Sequence, residues 1–202
     1  MPSTFRKELT NLPNLVTMGR VLVVPFVLVF IDNFNPVRSF IASLLYLGAA
    51  AGDALDGYLA RSRNEVSILG KFLDPLADKL IVTAVLIEMV ALGRVPAWLV
   101  VVLIARDLAI NGLRSIASAQ GLVISASDGG KIKTAIQLVA IMMLLIHFRY
   151  PALGVEAFVG EIDYHRAGLI LLYISAAASV FSGLQYVRSF FVTAWGNPRP
   201  AA

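Results

Sequence analysis

Six apolar stretches of membrane-spanning length, separated by short breaks, constrain this chain more than any other feature. They run over residues 14–31, 38–61, 70–93, 96–119, 130–148 and 166–191. Each is near or above the roughly 20 residues an α-helix needs to cross a hydrocarbon core. The breaks carry turn chemistry: Asp32-Asn-Phe-Asn-Pro36, Arg61-Ser-Arg-Asn64, Gly93-Arg-Val-Pro96, Ser127-Asp-Gly-Gly130 and Arg149-Tyr-Pro151. The expectation is an all-α, polytopic membrane protein with six transmembrane helices, organised as a single domain over residues 1–202. A hydrophobic fraction of 58% and a charged fraction of only 15% agree with it. Residues 3–11 are expected to form a short amphipathic helix on the membrane surface. The first apolar run continues for a full span with no small-residue cleavage site, unlike a secretory signal.

Basic residues orient the spans. With the N-terminus inside, thirteen of the 17 Lys and Arg fall on the inner side, and Arg38, Arg94, Arg149 and Arg166 on the outer side. Both termini then face the cytoplasm, as does the connection between the second and third helices. The absence of Cys excludes disulfides, thiolate metal sites and Cys nucleophiles. Residues 149–165, with Glu156, Glu161 and Asp163, read as a solvated outer loop. His147 and His165 flank it as solvated or interfacial residues, far from a role as a phosphohistidine. Nothing points to a nucleic-acid partner.

The cytoplasmic connection carries four carboxylates: Asp53-Ala-Leu-Asp56-Gly57-Tyr-Leu-Ala60-Arg61, then Gly70-Lys-Phe-Leu-Asp74-Pro-Leu-Ala-Asp78. Carboxylates near a bilayer are costly without partners and mark functional sites. Asp53 and Asp56 are three apart and Asp74 and Asp78 four apart, so each pair shares a helix face. The two pairs can face each other across a tight connection. Oxygen ligands of this kind suit a divalent metal. Gly57 and Ala60 remove bulk beside the acids, and Pro75 is placed in the first turn of the third helix or at a local kink. The bland alternative is a salt-bridge network with Arg61, Lys71 and Lys79.

The pattern D-x2-D-G-x2-A-R-x8-G-x3-D-x3-D over residues 53–78 resembles the signature of the CDP-alcohol phosphotransferase family at every fixed position. The resemblance implies that Asp53, Asp56, Asp74 and Asp78 bind one or two Mg²⁺ or Mn²⁺ ions, with Asp78 as general base. It implies that Asp56, Gly57, Ala60, Arg61 and Gly70 receive the CDP moiety. Asn14, Thr17 and Arg20 resemble the N-x2-T-x2-R element that precedes this motif, share a face, and are expected to line the same polar cavity. A helix cap at Asn14 and structural pairing at Arg20 are the alternatives. The implied chemistry is metal-dependent attack of an alcohol on the lipid-linked phosphorus, with CMP leaving.

The acceptor is read outside the motif. Arg106 and Arg114 are eight apart on the fourth helix, and Lys131 and Lys133 open the fifth. With Arg20 they suit an acceptor phosphate, Arg as a bidentate partner and Lys as a point charge. The alternatives are pairing of Arg106 with Asp107, snorkelling of Arg114, and headgroup contacts of the two lysines. Asn11-Leu-Pro-Asn14, Lys71 to Lys79, Pro96-Ala-Trp98, Ile104-Ala-Arg106-Asp107 and Gly130-Lys-Ile-Lys-Thr134 narrow the resemblance to the bacterial branch that makes phosphatidylglycerophosphate. That branch implies CDP-diacylglycerol and sn-glycerol 3-phosphate as substrates, a homodimer among membrane lipids, and residence in the bacterial cytoplasmic membrane. Asp107 stands where the usual pattern has Glu. Inositol phosphate, serine or phosphatidylglycerol are the alternative acceptors. A cation transporter is a rival from another class, but the acids lie at one end of the spans and no repeat is visible. A third reading, a scaffold, rests on Gly48-Ala-Ala-Ala-Gly52, which suits close helix packing.

Overall fold

The computed structural model describes residues 12–63, 68–120, 129–151 and 161–196. Among them are helices α1 (Leu12–Phe30), α2 (Pro36–Arg63), α3 (Ile68–Ala91), α4 (Ala97–Ala119), α5 (Gly129–Ile146) and α6 (Tyr164–Gly196). Two three-residue strands, β1 (Arg149–Pro151) and β2 (Glu161–Asp163), pair antiparallel with Arg149 opposite Asp163. Each expected span coincides with one helix. The segment 3–11 lies outside the described residues. The segment expected as a plain loop holds the ribbon instead, tied at one rung by Arg149 Nη2 to Asp163 Oδ2 at 3.5 Å. α3 begins at Ile68 rather than Gly70, and Pro75 is its eighth residue, beyond the first turn.

The chain divides into two compact units, residues 1–94 with 142–165 and residues 95–141 with 166–202. In the first unit α1 packs against both α2 and α3. Its core is Val24, Val27, Ile31, Ala42, Tyr46, Ala49, Val85, Leu86 and Met89, all buried. In the second unit Leu99, Val100, Leu103, Ile110 and Ala117 recur at three-, four- and seven-residue steps and form the buried face of α4. Leu172 and Ala176 are buried on α6, and Trp98 of α4 sets its ring 5.8 Å from that of Tyr173.

The connection from α1 to α2 shows how local chemistry sets the chain's path. Asp32 Oδ1 accepts from the N–H groups of Phe34 (2.8 Å) and Asn35 (3.2 Å). Asn35 Oδ1 then accepts from Val37 (3.0 Å) and Arg38 (3.2 Å), capping α2 with Pro36 as its first residue. The Phe34 N–H is the main reason the Asp32 carboxyl titrates below the usual carboxylate range. At the end of α3, Gly93 takes φ +72°. Its N–H reaches Val90 O (3.0 Å) and the Arg94 N–H reaches Met89 O (2.8 Å), the paired bonds of a Schellman stop.

That stop turns Arg94 inward. The residue is 2% exposed. Its Nε donates to Asn33 Oδ1 (2.8 Å), Nη1 to Leu144 O (3.0 Å) and Leu145 O (3.2 Å), and Nη2 to Asp32 O (2.6 Å) and Ser39 Oγ (3.1 Å). All five N–H donors of the guanidinium are thereby used. Burial draws its pKa down to about 10, opposed by the nearby Asp32 charge, so it remains a cation at neutral pH. Asn33 Nδ2 also donates to Leu92 O (2.9 Å). The start of α2 and the ends of α1, α3 and α5 therefore meet at one end of the first unit.

Among the described residues one helix, over Tyr164–Thr193, is by itself long and apolar enough to cross a membrane, with mean hydropathy 1.9 over its best window. Thr17–Phe30 and Lys133–Ile146 are shorter apolar helical runs. α4 carries Arg106, Asp107 and Arg114 in its second half.

Candidate active site

In the first unit, Asp53 and Asp56 lie towards the C-terminal end of α2, and Asp74 and Asp78 towards the N-terminal end of α3. Because the α3 end meets the α1–α2 connection at Asn33, α2 and α3 run in opposite directions. Both Asp pairs therefore belong to the end of the unit opposite Arg94. Counting along the helices places them at matching heights. Fourteen residues separate Ser39 from Asp53, Leu92 from Asp78, and Ile31 from Thr17. At the helical rise each run is about 21 Å. Thr17 is fully buried and Arg20 is 5% exposed, both on the helix that packs against α2 and α3. For Asn14, the four aspartates, Gly57, Ala60, Arg61, Gly70 and Lys131, the described features are those of the backbone, which is helical at each; their side chains lie outside the description.

The second unit gathers part of the predicted acceptor set. Arg106 Nη1 and Lys133 Nζ both donate to Asp107 Oδ1, at 2.9 Å and 2.7 Å. Arg106 Nε donates to Ser179 O (2.8 Å) and Nη2 to Ser182 Oγ (3.3 Å), which ties α4 to α6. Lys133 is buried, and its carbonyl accepts from Ser175 Oγ at 3.4 Å. Among the described residues one carboxylate is thus shared by two cations, of the sign a phosphate requires. Gly183 permits the arrangement, since a Cβ there would stand 3.2 Å from Arg106 Nε. Arg114 does not join the cluster. It is exposed, with its guanidinium 5.8 Å from the centroid of the Tyr186 ring. A cavity of about 450 Å³ between α4 and α6 is lined by apolar and aromatic side chains, among them Trp98, Val102, Tyr173, Val180, Phe181 and Leu184.

His147 and His165 face each other rather than standing separately in solvent. Their Nδ1 atoms are 3.2 Å apart and their rings cross at 76°. His147 takes φ +64° just past α5, a place where glycine is usual. Burial first, and then the charges of Arg94 and His165, pull its pKa down to about 4. Its neighbours in the first unit put it at the Arg94 end, away from the aspartates.

Sequence reasoning missed the role of Arg94, the serine partners of Arg106 and the histidine pair. The Gly93-Arg94 dipeptide was a usable signal for the first, because a left-handed glycine after a helix turns the next residue back towards it. The other two depend on residues 73 or more and 18 positions apart, with no local pattern.

Residues 10–193 match the sequence profile of the CDP-alcohol phosphatidyltransferase family. The chain is 41% identical to a Bacillus subtilis CDP-diacylglycerol–glycerol-3-phosphate 3-phosphatidyltransferase over 149 residues, covering 68% of this chain and 77% of the relative. It is 31% identical to the Mycoplasma pneumoniae protein of the same name, covering 96% and 93%. A probable phosphatidylglycerophosphate synthase of Mycobacterium tuberculosis is 30% identical, covering 90% and 82%.

Proposed function

The chain belongs to the CDP-alcohol phosphatidyltransferase family, and from that membership we propose that it moves the phosphatidyl group of CDP-diacylglycerol to sn-glycerol 3-phosphate, giving phosphatidylglycerophosphate and CMP. The observation that carries this reading is the four-aspartate pattern, set on two antiparallel helices at one end of the first unit. The names of the similar proteins support the choice of acceptor.

The donor set fits a hard divalent cation, since it offers carboxylate oxygens in two same-face pairs. Asp53, Asp56, Asp74 and Asp78 would hold one or two Mg²⁺ or Mn²⁺ ions. A metal held there would supply positive charge to offset that of the pyrophosphate. Asp78 accepts the proton of the acceptor hydroxyl. That oxygen forms a bond to the phosphorus bearing diacylglycerol, and the bond from that phosphorus to the CMP oxygen breaks. Asn14, Thr17, Asp56, Gly57, Ala60, Arg61 and Gly70 receive the CDP moiety; the burial of Thr17 on a helix packed against α2 and α3 supports its share. Arg20, Arg106, Arg114, Lys131 and Lys133 are proposed for the acceptor phosphate, supported for Arg106 and Lys133 by their meeting at Asp107.

The protein is further proposed to be a homodimer that crosses the bacterial cytoplasmic membrane six times, with the aspartates and both termini on the cytoplasmic side. Support comes from large apolar side chains exposed on α1, α2, α3, α4 and α6, among them Leu22, Phe26, Phe40, Leu44, Ile87, Val101, Leu108, Ile170, Phe181 and Val192. So much exposed apolar surface suits lipid.

The test is CMP release from CDP-diacylglycerol by purified protein in mixed micelles. Release is expected with glycerol 3-phosphate and Mg²⁺ or Mn²⁺, and none after chelation. Silence with glycerol 3-phosphate, together with release on inositol phosphate, serine or phosphatidylglycerol, would transfer the assignment to that acceptor.

A further inference from the structure

We propose that Arg94 is a positioning residue for the metal-binding aspartates, acting from the opposite end of the first unit by holding α1, α2 and α3 in register. The inference rests on the reading of Asp53, Asp56, Asp74 and Asp78 as metal ligands.

Three observations support it. Arg94 uses every donor of a rigid planar fork on groups from separate elements: Asp32 O and Asn33 Oδ1 after α1, Ser39 Oγ in α2, and Leu144 O and Leu145 O in α5. It is itself fastened to the end of α3 by the Gly93 stop. Thr17 on α1, Asp53 on α2 and Asp78 on α3 lie the same fourteen residues from this end.

The physical link is leverage. Between helices in lipid, apolar contact alone supplies little preference, because the hydrocarbon is as apolar as the side chains. Polar contacts then decide how one helix sits on the next. A helix is stiff over this length, so an error at the clamped end is carried to the far end. A tilt of about 5° moves a group about 21 Å away by about 2 Å. Ligand constellations tolerate only about 0.5 Å. A loosened clamp therefore spoils the metal cradle before it unfolds the protein. Lys keeps the charge at this position but presents its donors from a single point, so it cannot reach acceptors spread around a fork.

The test uses Arg94→Lys. The chain has no Cys, so spin labels can be placed at Leu47→Cys on α2 and Leu80→Cys on α3, both exposed. In the labelled protein Arg94→Lys is expected to broaden or shift the interspin distance by about 1–1.5 Å, the displacement that a tilt of about 5° gives at labels about 12 and 18 Å from the clamped end. In the unlabelled variant the half-activating Mg²⁺ concentration is expected to rise by about tenfold, the size seen when groups supporting metal ligands are lost. Saturating Mg²⁺ should restore most turnover, and KM for glycerol 3-phosphate should stay within about twofold. Asn33→Ala, which removes the Nε acceptor and the bond to Leu92, should move both readouts the same way by less. It carries the test if Arg94→Lys does not fold. The proposal is overturned by an unchanged distance distribution, by an unchanged Mg²⁺ requirement, or by turnover that falls only in proportion to folded protein. A wild-type enzyme that turns over without any divalent cation is a different failure, and removes the metal reading of the aspartates instead.

Discussion

Changing Asp78 to Asn removes a charge and a proton acceptor while keeping the side chain's shape. With Asp78 as general base, turnover should fall by about 10²–10⁴-fold with the thermal unfolding midpoint unmoved. Recovery of activity at high Mn²⁺ would make the residue a metal ligand alone. His147 gives a prediction of a different kind. Its folded pKa of about 4 lies below the ordinary value of 6.5, so between those pH values the unfolded chain binds more protons than the folded one. Stability contributed by neutral His147 is full above about pH 6.5 and is lost as the pH falls towards 4. Thermal unfolding scans from pH 7 to pH 4.5 should show this loss. Because Asn tolerates the left-handed backbone that His147 adopts, His147→Asn should flatten the slope and raise the midpoint at pH 5.

The Asp107 cluster ties α5 to α4, and the Arg106 bonds to Ser179 and Ser182 tie α4 to α6. Replacing Asp107 with Ala removes the acceptor that Lys133 meets at 2.7 Å and Arg106 at 2.9 Å, charge-assisted bonds of about 1.5–3 kcal/mol each. A marked drop in the unfolding midpoint checks it. Gly183→Ala is subtler, since the new methyl presses on Arg106 Nε and Cγ at 3.2 Å and 3.4 Å. If Arg106 binds the acceptor phosphate, KM for glycerol 3-phosphate should rise several-fold, by the order of one charge-assisted hydrogen bond weakened, while KM for CDP-diacylglycerol holds. All six helices were legible in the sequence because apolar length and turn residues are local signals. The break at Asp32–Pro36 was legible too, though not which side chains cap α2 there. The placement of the four aspartates on helical backbone was legible for the same reason, from three- and four-residue spacings. The Arg94 clamp was hidden because its acceptors are mostly carbonyls, which every residue has. The Asp107 link to Lys133 spans 26 positions, and nothing local announces it. His147 was read as solvated or interfacial from its place beside the outer loop, and no glycine marks its left-handed turn.

Across the whole molecule, the proposed membrane orientation makes a direct prediction. In intact cells a membrane-impermeant maleimide should label Phe34→Cys, 93% exposed in the α1–α2 connection, and spare Gln120→Cys at the end of α4 until the membrane is opened. The reverse pattern would turn the protein over and place the aspartates outside, where cytoplasmic substrates cannot reach them. The Arg94 clamp also has a consequence in time. Its partners at Leu144 and Leu145 follow it by 50 and 51 residues. At a ribosomal pace of roughly 5–20 residues per second, the nascent chain holds that guanidinium for about 2–10 seconds before the carbonyls that complete its shell exist. During that interval Asp32, Asn33 and Ser39 are the only acceptors of the set already made. The first three helices thus emerge as a provisional bundle, and synthesis of the fifth is the event that locks it.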